Sequence, residues 1–171
     1  MRRVSLNARA AQDAAASDEV EVLLVRITHP DLDEPIRLSS DPTERISVEP
    51  LAYGTRSAWG GTVAVHWFVL ASTVVPDDVD DAPAAATMIL EAVDRDIASA
   101  LRSTTARATV AMAVVLASSP DVVEAEWTDL QLVSAEGDAG EIRLSISRDP
   151  ITSEPWPSRR MTRAAFPGLH R

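Results

Sequence analysis

Apolar and polar positions alternate along much of the chain. From Glu19 to Thr28, Val20, Val22 and Leu24 are interleaved with Glu19, Glu21 and Leu23, which is the period of a strand half-buried against a core. His29-Pro30-Asp31 breaks that run. Pro35 to Leu38 then reads as a second strand after an acidic turn, and Ile46 and Val48 as a continuation of the same edge. Gly60-Gly61 precedes the most apolar segment, Thr62 to Val75, whose Val, Trp, Phe and Leu residues predict one long central strand stopped by Pro76. Ala85 to Val93 predicts a strand with Met88 and Leu90 on one side, and Arg107 to Ser118 another, broken by Ser119-Pro120-Asp121. The clearest hairpin joins Val123–Val133 to Glu141–Arg148. Ile142, Leu144 and Ile146 alternate there with Glu141, Arg143, Ser145 and Ser147, and Gly137 and Gly140 lie between the halves.

Helical signals are fewer. Ser5 followed by the Ala-rich stretch Ala8–Ala16 predicts a short helix, because Ala has the highest intrinsic propensity and a Ser hydroxyl accepts from an orphan N–H of the first turn. Asp94 is positioned to cap a second helix running to about Ser103, with Ile97 and Leu101 one turn apart. Beyond Asp149-Pro150 the periodicity ends, and Pro155, Pro157 and Pro167 disfavour any regular element. The pattern therefore predicts a mainly β fold with minor α content: a β-sandwich or partly open barrel with one or two short helices and an extended C-terminal arm. Residues 1–17 form the N-terminal arm, 18–150 the β domain and 151–171 the C-terminal arm. No internal repeat is visible.

Composition narrows the functional classes. A chain of 171 residues, 46% hydrophobic, is enough for one core. The absence of Cys excludes disulfides, thiolate metal sites and Cys nucleophiles. Uncharged apolar runs such as Val110 to Ala117 fall far short of the roughly 18 residues of a spanning helix. Asn7, Arg9, Gln12 and Asp13 interrupt any signal-like segment behind Arg2 and Arg3. No membrane partner is expected, and the expected location is the cytosol or a particle assembled there. All 16 basic residues are Arg, and the net charge is −10. The two ends are nevertheless basic: Arg2, Arg3 and Arg9 at one, and Arg159, Arg160, Arg163 and Arg171 at the other. The acidic body between them repels phosphates, so nucleic-acid sequence recognition is not expected. Basic arms on an acidic body fit contacts with acidic neighbours.

Candidate chemistry is sparse. The run Asp77-Asp78-Val79-Asp80-Asp81 is rich in Ca²⁺-type ligands but lacks the spacing and distal Glu of an EF-hand, and reads as a solvated loop or a docking surface for an Arg arm. His29, His66 and His170 match no metal-ligand spacing, and His66, between Val65 and Trp67, reads as a satisfied residue of an apolar strand. No G-x-S-x-G elbow, Walker loop or G-x-G-x-x-G run occurs. No catalytic residue, metal or cofactor is therefore expected. Trp67, Phe68 and Trp127 read as core, and Trp59 and Trp156 as exposed rings. Trp156, between two prolines, needs a groove on its own domain or on a partner, and Phe166-Pro167-Gly168-Leu169 poses the same requirement. On physics alone, self-docking and partner-docking stand level.

Three segments carry a family resemblance: VVPDDVDDAPAAATMILEAVDRDIASALRS at 74–103, ATVAMAVVLASSPDVVE at 108–124 and EPWPSRRMTRAAFPGLH at 154–170. Together they resemble a domain-of-unknown-function family encoded in the tail operons of long-tailed phages and prophages, over roughly the C-terminal two thirds of the chain. Trp156 stands where Phe is more usual in that family. The resemblance implies a non-enzymatic minor tail protein of the virion. It would be made in the host cytoplasm and would join tube and hub at the distal tail or upper baseplate, as a ring or trimer. Partner-binding residues are then expected at Glu154, Pro155, Trp156, Pro157, Arg159, Arg160, Phe166, Pro167, Gly168 and Leu169, facing other tail proteins. The alternatives are a tail-tip cell-wall hydrolase using the Asp77–Asp81 carboxylates, or a carbohydrate-binding module using Trp59 and Trp156.

Overall fold

The computed structural model describes residues 4–74, 76, 85–91, 107–137, 141–148, 166 and 168. Helix α1 (Leu6–Asp13) is followed by ten strands: β1 (Glu21–Thr28), β2 (Ile36–Ser39), β3 (Glu44–Val48), β4 (Leu51–Ser57), β5 (Ala64–Phe68), β6 (Leu70–Val74), β7 (Ala85–Glu91), β8 (Thr109–Leu116), β9 (Ser119–Gly137) and β10 (Glu141–Arg148). All ten belong to one sheet of order β3-β4-β5-β2-β1-β8-β9-β10-β7-β6. The expected mainly β fold is what forms.

The central ladder pairs β1 with β8 without a register shift, from Glu21↔Leu116 to Thr28↔Thr109. Neighbouring residues of a strand face opposite sides, and here both sides are covered. Val25, Ile27, Val110 and Met112 enter a large core with Met88, Leu90, Leu130 and Leu144. Val22, Leu24, Ala113 and Val115 enter a second, smaller core capped by Trp59.

The predicted single strand over Thr62–Val75 is divided. β5 pairs with β4 and β2, whereas β6, one residue further on, pairs with β7 at the opposite edge of the sheet. A connection of one residue, Val69, can reach both places only if the sheet curls until its β6 edge lies over β2. Val69 N–H donates to the Ser39 carbonyl (3.0 Å), and Val25 and Leu38 share a core with Met88 and Leu90. Among the described residues no ladder joins β6 to β2, so the curl is an open barrel spanned by the chain itself.

Three further points differ from expectation. Ile46 and Val48 do not extend β2; they lie in β3, which pairs with β4. β4 had no counterpart in the pattern, because its inward residues are Gly54, Thr55 and Ser57 rather than large apolar ones. Ser119-Pro120-Asp121 does not interrupt the chain but opens the nineteen-residue β9. This strand bends through register shifts against β8, one of them beside Asp129, which has a φ of 58°. It thereby serves β8 with its first part and β10 with its last.

Helix α1 begins as its sequence predicts, with Ser5 Oγ accepting from Ala8 N–H (3.1 Å), and ends at Asp13, short of the expected Ala16. Only Ala8 is buried in it. The expected helix over 94–103 lies outside the described residues. Gly54 fills a place where two backbones nearly touch: a Cβ built there would stand 2.1 Å from the His66 carbonyl oxygen. Gly54→Ala is expected to cost about 1–3 kcal/mol through forced separation of β4 and β5, read as a lower urea midpoint with unchanged slope.

Candidate functional site

The second core is where polar side chains gather. The turn between β4 and β5 is pinned to the start of β9: Ser57 Oγ donates to the Pro120 carbonyl (2.6 Å) and Ala58 N–H to Asp121 (2.7 Å). That anchoring lays Trp59 on Val22, Leu24 and Ala113. Its indole N–H donates to Glu126 Oε1 at 2.8 Å, and the Arg26 guanidinium lies 5.1 Å from the ring centre, a cation–π distance. Trp59 is only 7% exposed, so the expectation of an exposed sugar-reading ring is overturned. Trp67 corrects in the other direction: it is 45% exposed rather than core, because its neighbour His66 takes the inward position on β5.

His66 is fully buried, its ring centre 5.9 Å from that of Trp59. Burial pushes its pKa down from 6.5 to about 4; the positive Arg37 and Arg26 add to this, against an opposing pull from the backbone of Ala64 and Thr55. Beside it, Ser39 and Thr55 share a hydroxyl hydrogen bond (2.7 Å), and the buried Asp41 accepts from the backbone and hydroxyl of Thr43. The first contact joins β2 to β4, and the second shapes the loop between β2 and β3. No hydroxyl of the group is bonded to His66, so no nucleophile–base pair forms at this histidine.

The remaining candidates distribute as follows. Glu154, Pro155, Trp156, Pro157, Arg159, Arg160, Pro167 and Leu169 lie outside the described residues, as does Asp77–Asp81. Phe166 is half-buried and Gly168 is exposed, with open space around it. His29 is buried, and its Nδ1 accepts from Asp31 N–H (3.0 Å). Trp127 is only partly buried, against the large core. Sequence reasoning missed Glu124, a buried acid of β9 whose Oε2 accepts from Ser5 N–H at 2.7 Å. Its position within Val-Val-Glu-Ala-Glu gives no local sign that a helix 119 residues away covers it.

Residues 7–158 match a family model described as a domain of unknown function, DUF1833. The match begins within α1, earlier than the C-terminal two thirds that carried the resemblance, and ends before Phe166. A search of curated proteins finds no match.

His66 sets an acid sensitivity. Between pH 6.5 and about 4 the unfolded chain takes up a proton that the folded one refuses, so stability conferred by the neutral ring at higher pH falls as the pH drops through that window. The thermal midpoint of the wild type should decline over this range more steeply than that of His66→Leu; parallel curves would contradict it.

Proposed function

The chain belongs to the DUF1833 family, and on that premise we propose that it is a structural minor tail protein of a long-tailed phage or phage-like particle, without enzymatic activity. The observation that carries the reading is the open sheet. Among the described residues neither outer strand has a second partner, and each bears exposed apolar side chains: Val48 on β3, Leu70 and Val74 on β6. Leu51 and Tyr53 on β4 add to the β3 side. Unpaired edges with apolar side chains are places where a sheet accepts another chain.

Two further features support it. The motifs at 74–103, 108–124 and 154–170 resemble tail-operon proteins, and the acidic body carries an arginine-bearing C-terminal arm. In this reading the protein sits at the distal tail or upper baseplate, between tube and hub. A cyclic assembly requires one surface of each copy to meet a different surface of the next. The segment Glu154–Leu169 supplies that second surface, with Trp156 and Phe166 as apolar anchors and Arg159 and Arg160 as charged ones. The hydrolase reading rests on Asp77–Asp81, which lie outside the described residues. The sugar-binding reading loses Trp59.

The test is particle composition. Peptide mass spectrometry on density-purified particles should find the full chain at low copy number relative to the tube protein, on the order of three or six for a closed ring. A chain lacking residues 154–171 should keep its circular dichroism and melting transition but disappear from particles. Incorporation of the truncated chain at full level would refute arm docking, and absence of the full chain from intact particles would refute the tail assignment.

A further inference from the structure

Between α1 and the sheet lies a cavity of about 300 Å³, whose lining includes Ala8 and Gln12 of the helix, Glu21 of β1, Val114 of β8, and Glu124 and Trp127 of β9, with Pro76 among the apolar remainder. Of its ten described lining residues two, Glu21 and Glu124, are carboxylic acids and none is basic. Glu124 is only 8% exposed; its Oε2 holds the Ser5 N–H, while its Oε1 makes no hydrogen bond. A buried carboxylate oxygen without a donor is costly, and a charged or polar donor placed beside it relieves that cost.

We infer that this cavity is a receptor for an arginine side chain. The wall chemistry selects it. A guanidinium carries five donors in a plane and suits a carboxylate, its apolar stem suits Ala8 and Val114, and its flat face suits the Trp127 indole. An ammonium has no face to lay on a ring. The inference does not depend on the assembly reading, since the cavity belongs to the body of the domain. The arginine comes from this chain's own C-terminal segment or from another molecule, and the experiment separates the two.

The readout is the indole N–H spectrum of the ¹⁵N-labelled full chain, which has four Trp residues, with the Trp127 signal assigned through Trp127→Phe. Titration with N-acetyl-arginine methylamide should shift that signal saturably, with a Kd on the order of 1 mM. The Trp59 indole, held by Glu126, should stay in place. The neutral citrulline analogue should give no saturable shift. Glu124→Gln keeps an acceptor for Ser5 N–H but removes the charge, and should weaken binding about tenfold; an unmoved Trp59 signal in that variant certifies its fold. Replacing Arg159, Arg160 and Arg163 together by Gln identifies the source: a tighter apparent Kd assigns the natural occupant to the chain's own arm, and an unchanged one to another molecule. No saturable shift in either the wild type or the arm variant, an equal response to citrulline, or indifference to Glu124→Gln would each overturn the inference.

Discussion

Everything in this molecule is arranged around a ladder that is buried on both faces. β1 and β8 pair residue for residue over their whole length, and alternate side chains point into two different cores. A two-faced strand cannot be served by one partner layer. The chain supplies two covers from one sheet, by curling β10, β7 and β6 over one face and laying the β4–β5 turn with Trp59 on the other. The curl explains why β5 and β6 can be consecutive in sequence and remote in strand order. The length of β9, bent by its register shifts, explains how one strand serves both the central ladder and the outer hairpin.

The two cores differ in kind. The larger one is apolar almost throughout. The smaller one carries Arg26, His66, Ser39 and Thr55 near its edge, and its cover is fixed by directional bonds from Ser57, Ala58 and Trp59 to β9. Van der Waals packing tolerates sliding, whereas hydrogen bonds to defined atoms set a register. The polar group therefore reads as the fastening of the β4–β5 turn. His66 is kept neutral by its burial among these groups.

The proposed role draws on the opposite property of the sheet, its incompleteness. A closed barrel has no edges to offer, and this one stops short of closure with apolar side chains on both outer strands. Membership of the DUF1833 family adds the boundaries of a recognised unit, residues 7–158, which take in all of α1 but Leu6. The helix has one buried residue and a backbone tie to Glu124. It lies lightly over a sizeable cavity.

Sequence alone determined the elements whose information is local. Period-two alternation located β1, β7, β8 and the β9–β10 hairpin, and the Ser5 hydroxyl announced the start of α1, because side-chain direction along a strand and the needs of a helix N-terminus are properties of a few consecutive residues. The tertiary structure decided what alternation is silent about. It split the apolar run at Val69 between two distant ladders, made a strand of Leu51–Ser57, whose inward residues are small or polar, and exchanged the roles of Trp59 and Trp67. It also brought a helix over Glu124 and left one of its oxygens without a donor. Each of these depends on which strand or helix lies next in space, and the covering surface is contributed by residues far away in the chain, where no window of neighbouring residues can register it.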